Sequence, residues 1–457
     1  MSIGKFFEII VSLPAQGLDK SINTSVSWRR AVASHRHVKR AQEYWHILGP
    51  GLTTGASDDD PSGIATYSQT GTQYGFQLLW LAAFTFPLMS IVQEMCARIG
   101  LVTGQGLAGN IRENYPRWVL IICTLFLFIA NSLNIGADLG AMAKATQLLY
   151  PGLHFSWLVL LFAVVSLTLQ VFISYKKYAS YLKYLALVLL AYIFSTLNIP
   201  HLDWGNILNS AIVPSITFSK DQIILICAIL GTTISPYLFF WQTSQEIEEE
   251  ISKGKITIEM RQGAKAQDIK NMRIDVWAGM FLSNLVMFFI ITACAATLFT
   301  HGVTNINTAA EAAAALKPFA GDKAYLFFAL GIIGTGLLAV PVLAGSASYA
   351  ISESLRWDHG LHRKLKEASA FYGIIIISMA IGFIINLIGF DPIKALIYSA
   401  VANGLIAPII LILIIGISSN KKIMNGWSNH PIVTLIGWFV TIIMSISGIA
   451  AIVSLFI

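Results

Sequence analysis

Charge is what this sequence lacks. Only 12% of its 457 residues are Asp, Glu, Lys or Arg, against 55% hydrophobic. A chain so poor in charge has too little polar surface to face water, which excludes a soluble enzyme and leaves the polytopic membrane class. Cysteine is also sparse. Cys96, Cys123, Cys227 and Cys294 stand singly in apolar runs with no CxxC pair, so they read as small packing residues and not as a disulfide framework or metal cluster. The formal net charge of +6 comes from basic residues scattered through short loops, so no nucleic-acid partner is expected. The N-terminal run FFEIIVSL is short and carries Glu8, which argues against a cleaved signal peptide.

What the chain has in abundance is long apolar runs. They lie at about 46–68, 77–100, 117–145, 154–174, 179–198, 222–245, 272–300, 323–350, 368–389, 392–416 and 431–457. Each approaches or exceeds the roughly 20 helical residues that cross a bilayer core. The expectation is an all-α polytopic membrane protein with eleven transmembrane helices. Residues 1–45 read as a cytoplasmic N-terminal segment, 46–200 and 222–416 as two sets of five helices, and 431–457 as the eleventh helix. An odd number places the termini on opposite sides. With the N-terminus cytoplasmic, every Lys and Arg except Lys144, Lys220, Lys317, Lys323 and Lys394 falls in an inside loop. The lipid bilayer is the partner this pattern implies, and the C-terminus is expected outside. The loop from Glu246 to Arg273, rich in both signs of charge, reads as a solvated face.

One stretch breaks the apolar pattern. Gly51 to Gly63, GLTTGASDDDPSG, sets three consecutive acids and a proline inside the first run. Each of Asp58, Asp59 and Asp60 would cost roughly 2.5 to 3.5 kcal/mol at the centre of a lipid-facing helix, so this backbone must line a cavity or face other helices. Pro61 removes a helical donor, and the carbonyls it frees become ligands in their own right. Asp60 is therefore either a substrate ligand or the cap of a broken half-helix. A second break is expected in the sixth run, LGTTISPYLFFWQ, where Pro236 follows Gly231, Thr232, Thr233 and Ser235. Interruptions at corresponding places in two halves point to an inverted repeat of five helices with the substrate between them.

At these two breaks the sequence resembles the Nramp family of metal-ion transporters, whose first helix carries Asp-Pro-Gly-Asn and whose sixth carries Met-Pro-His. The likeness also takes in IVQEMCARIGLVTGQGLA, GADLGAMA and Asn284, and so most of the chain from Trp45 onward. It implies ten core helices in two inverted repeats, often with an eleventh, and transport by alternating access. The departures bear on the substrate. Asp60-Pro61 keep the family's acid, but Ser62-Gly63 replace Gly-Asn, and Ser235-Pro236-Tyr237 replace Met-Pro-His. Asp138 matches one family acid of the third helix, while Ala141 stands where a second is expected. Tyr237 and Gln242 occupy positions where the family has histidines associated with proton movement.

The implied metal ligands are Asp60 with backbone carbonyls near Ser57 and Thr232. Gly63, Ser235, Tyr237 and Asn403 are expected around the substrate, and Asp58, Asp59, Asp138, Gln242 and Asn284 along a polar pathway. Loss of the thioether weakens selection for soft transition metals, and a carboxylate with hydroxyl and carbonyl oxygens suits a hard, partly hydrated ion. The chain thus looks closest to the Nramp-related magnesium-transporter branch, moving Mg²⁺ or secondarily Mn²⁺ with weak or absent proton coupling. A small amino or aromatic carboxylic acid on the same fold is the alternative. Neither a resident cofactor nor enzymatic activity is expected, and the plasma membrane of a prokaryote is the expected location.

Overall fold

Two prolines decide how the first and sixth apolar runs fold. The computed structural model describes residues 49–173, 190–306, 309–317, 321–389 and 391–456. In it the first run is two helices, α1 (Pro50–Asp58) and α2 (Pro61–Tyr74), separated by Asp59 and Asp60. Asp60 takes φ −65° and ψ 172°, the extended conformation imposed on a residue that precedes proline. The chain then runs through α3 (Trp80–Thr103), α4 (Leu107–Asn114), α5 (Arg117–Leu149), α6 (Phe155–Phe172) and α7 (Leu190–Leu197).

The sixth run repeats the first. Helix α8 (Lys220–Thr233) stops, Ile234 and Ser235 intervene, and α9 (Pro236–Ser252) starts with its own proline. Ser235, again before proline, is extended at φ −85° and ψ 134°. Helices α10 (Ala266–Thr297), α11 (Ala324–Leu355), α12 (Ser369–Leu387), α13 (Pro392–Ser419) and α14 (Pro431–Phe456) complete the bundle.

Among the described residues, nine helical segments are long and apolar enough to cross a membrane, counting Lys220–Ser252 as one. The paired α1 and α2 are individually too short to be among them. Of the expected fifth helix, 179–198, only Leu190–Leu197 is described as helix, and the expected N-terminal segment 1–45 lies outside the described residues. The broken sixth segment is the most enclosed, 83% of its apolar window being buried, whereas that of α14 is 33% buried. Ile432, Leu435, Phe439, Ile442, Ile446 and Ile449 of α14 face outward, the surface expected of a helix against lipid.

Two close approaches seat the interrupted helices. A Cβ on Gly55 of α1 would lie 2.3 Å from the Gly279 carbonyl oxygen of α10, and one on Gly231 of α8 would lie 2.0 Å from the Ala400 carbonyl of α13. Only glycine permits either contact.

One expectation is corrected. The acids at the end of α9 do not form a solvated face, since Glu246, Glu248 and Glu250 are buried. Helix α9 continues beyond its apolar stretch and packs against α11 and the segment after it, which supplies the partners. Glu248 accepts hydrogen bonds from the Tyr349 hydroxyl (2.7 Å), Leu361 N (2.8 Å) and His362 N (3.2 Å). Glu250 pairs with Lys253 at 3.2 Å and with Lys255.

Candidate functional site

The two interruptions touch. The Tyr237 hydroxyl, at the start of α9, donates to the Ser57 carbonyl at the end of α1 over 3.1 Å. The Ser62 hydroxyl of α2 lies 3.5 Å from the Thr232 hydroxyl of α8. A Cβ on Gly63 would meet the Asp58 carbonyl at 3.1 Å and the Thr232 hydroxyl at 3.3 Å, so glycine there keeps the gap between the breaks open.

Asp60 occupies that gap and is wholly buried. Its Oδ1 accepts from the Ser62 hydroxyl at 2.6 Å and from Gly63 N at 2.7 Å, which caps the first turn of α2. Its Oδ2 accepts from Asn134 Nδ2 of α5 at 3.0 Å. Asp60 is therefore a helix cap and at the same time a carboxylate with one oxygen only partly satisfied. A cap alone would need one oxygen.

The neighbouring acids differ. Asp58 Oδ2 accepts a 2.5 Å hydrogen bond from the Ser283 hydroxyl of α10, while Oδ1 has no partner. Neither carboxylate oxygen of Asp59 or Asp138 has one, although both residues are buried. Among the described residues no ion pair involves any of these four acids. A buried carboxylate without a counter-charge is a costly polar feature in a membrane bundle.

The other expected residues divide by what already holds them. Ser57 and Thr232 each present a carbonyl with one accepted hydrogen bond, from Tyr237 and from Ser235 respectively, which leaves the second lone pair of each. The Ser235 hydroxyl stands 2.6 Å from the Gly231 carbonyl and 2.7 Å from that of Thr232, so it serves the interrupted backbone. Asn403 of α13 is buried with both amide atoms unpartnered. Gln242 donates to Glu246 at 2.9 Å, and Asn284 accepts from Thr85 at 2.8 Å and packs on Met280 and Met89. These last two lie in hydrogen-bonded pairs of their own, away from the hydrogen bonds of Asp60.

Sequence reasoning did not single out Asn134, Ser283 or Ser399. Each is a small or amide polar residue in a largely apolar run, a signal that packing residues share. Among the described residues no three His, Cys, Asp or Glu side chains gather as a metal cluster. Any ion held here would rest on oxygen, from one or two carboxylates, carbonyls, hydroxyls and water.

Comparison with known proteins follows the same outline. Residues 51–454 match the family model described as natural resistance-associated macrophage protein-like. The chain is 24% identical over 420 residues to a divalent metal cation transporter, MntH, of Erwinia tasmaniensis, covering 91% of this chain and 94% of that protein. It is 26% identical over 439 residues to MntH of Deinococcus radiodurans, covering 94% and 93%. The fold is similar to the crystal structure of the Eremococcus coleocola manganese transporter in complex with an aromatic bis-isothiourea substituted compound. That match has a TM-score of 0.70 and 18% identity and covers 88% of this chain and 85% of that one. An inward-facing structure of Mhp1 aligns with a TM-score of 0.51 at 13% identity, over 89% of each chain.

Proposed function

The chain belongs to the Nramp family, and from that premise we propose that it is a secondary transporter of divalent metal cations that favours a hard, partly hydrated ion, Mg²⁺ before Mn²⁺. The observation that carries this reading is Asp60: a buried carboxylate between two helix breaks, held by the neutral donors Ser62 Oγ, Gly63 N and Asn134 Nδ2. Neither sulfur nor imidazole is among its hydrogen-bonding neighbours. Oxygen ligands and retained water suit Mg²⁺, whereas a thioether would favour a softer metal.

Alternating access in this reading is motion of the interrupted helices against the rest of the bundle. Support for two inverted five-helix repeats comes from the matching breaks, each with two residues between half-helices and a proline at the start of the second. Eleven spanning helices, with the N-terminus cytoplasmic and the C-terminus outside, accord with the loop distribution of Lys and Arg. Proton coupling is weak or absent in this proposal, because Tyr237 and Gln242 stand where imidazoles would relay protons, and Gln242 is tied to Glu246.

Calorimetric titration of the purified full-length protein tests the substrate class. Mg²⁺ and Mn²⁺ are run beside a panel of small amino and aromatic carboxylic acids. Saturable metal binding without heat from the acids is expected. Binding of an acid, with none of either metal, would replace this reading with an organic-solute transporter.

A further inference from the structure

Asp60 is oriented by residues outside both broken helices. A carboxylate has about four lone-pair sites. The Ser62 hydroxyl and Gly63 N occupy those of Oδ1, at 2.6 and 2.7 Å, and Asn134 Nδ2 occupies one on Oδ2 at 3.0 Å. Oδ2 is therefore the less occupied oxygen of Asp60 and the one better able to face an ion.

The donor on Oδ2 is itself held. Asn134 Oδ1 lies 2.6 Å from the Ser399 hydroxyl of α13, whose single proton it shares with the Leu396 carbonyl at 2.8 Å, and both residues are buried. Because Asp60 can only accept when ionised, the Asn134 amide must turn its nitrogen to Asp60 and its oxygen to Ser399. The chain Ser399–Asn134–Asp60 thus joins α13, α5 and α2 through hydrogen bonds with a defined direction. It carries no charge of its own, whereas Arg or Lys in place of Asn134 would neutralise Asp60 and compete with a cation.

A contrast lies one turn away on the same helix. Asn131 Nδ2 donates to the Leu343 carbonyl and to the Ser346 hydroxyl of α11, both at 2.8 Å, and so ties helix to helix without touching the site.

We infer that Asn134, oriented by Ser399, is a positioning residue that leaves one lone pair of Asp60 Oδ2 for the transported ion and thereby sets affinity. The inference rests on the metal-transport reading above. The test is calorimetric titration with Mg²⁺ and with Mn²⁺ of wild-type protein and of Asn134→Leu, Ser399→Ala, the double variant, Asn131→Leu and Asp60→Ala, with melting temperatures recorded in parallel. Asn134→Leu should raise Kd by about 10- to 100-fold, the range seen when a metal ligand loses the partner that orients it. Ser399→Ala should raise it by at least about threefold, and the double variant no further than Asn134→Leu alone, because the two act as one unit. Asn131→Leu should lower the melting temperature while leaving Kd at the wild-type value. Should Asn134→Leu fail to yield folded protein, Ser399→Ala carries the same test. An unchanged Kd in Asn134→Leu or, in that case, in Ser399→Ala overturns the inference while leaving the transport reading in place. An unchanged Kd in Asp60→Ala overturns both.

Discussion

Two groups of buried acids in this protein have the same chemistry and opposite surroundings. Away from the breaks, Asp275, Glu94, Glu248 and Glu353 each have hydrogen-bond donors in place. Asp275 of α10 accepts from Gly49 N at 2.7 Å, Gly51 N at 2.6 Å and Leu52 N at 3.1 Å, which closes the start of α1. Glu94 Oε1 accepts from Arg273 Nε at 3.0 Å and Nη2 at 2.8 Å, and its Oε2 from the Trp277 indole at 2.9 Å. Glu353 accepts from Gly109 N at 2.9 Å, and its own carbonyl accepts from Arg112. At the first break and on α5, Asp58 has one oxygen, and Asp59 and Asp138 two each, without a partner among the described residues. Burial by itself therefore does not separate architecture from function in this chain. What differs between the two groups is how far donors satisfy each acid, and an unsatisfied buried carboxylate is costly.

That contrast can be broken by substitution, with thermal melting in detergent as the common measurement. Asp275→Ala should have the largest effect, about 3 kcal/mol or more, because it strips three backbone N–H groups at the start of α1 of their acceptor. Glu248→Gln should cost less, about 1 to 3 kcal/mol, since the amide keeps one acceptor oxygen but turns its N–H₂ toward donors from Tyr349 and Leu361. Ser235→Ala removes one hydroxyl from the Gly231 and Thr232 carbonyls and should cost about 1 kcal/mol. Asp59→Asn should have the smallest effect, within about 0.5 kcal/mol of wild type or slightly stabilising, because the buried carboxyl it replaces has no compensating donor. Equal losses of stability in Asp59→Asn and Asp275→Ala would erase the distinction between the two groups of acids.

Much of the plan is written in local chemistry. Pro61 and Pro236, each after small or acidic residues, mark where the helix must stop, and the conformation of the residue before proline follows from sterics alone. The apolar runs announce the spans in the same direct way. The partners of Asp60 are not legible, because Asn134 and Ser399 lie 74 and 265 residues from Asp60 and from Asn134 respectively, and only packing of α2, α5 and α13 brings them together. Glu246, Glu248 and Glu250 were misleading for a related reason. Charge density in sequence suggests solvent, whereas Glu248 is buried by donors from Tyr349 and Leu361, more than 100 positions further along, and Glu246 and Glu250 by the nearer Gln242, Lys253 and Lys255.

The central claim is that Asp60 binds the transported cation and that its part as a helix cap is secondary. Uptake of Mg²⁺ into proteoliposomes by wild-type protein and by Asp60→Ala, each verified as monodisperse before reconstitution, tests it most directly. The account predicts saturable wild-type uptake, reduced to the level of protein-free vesicles in Asp60→Ala that still purifies as a single folded species. Wild-type uptake rates in Asp60→Ala would contradict it.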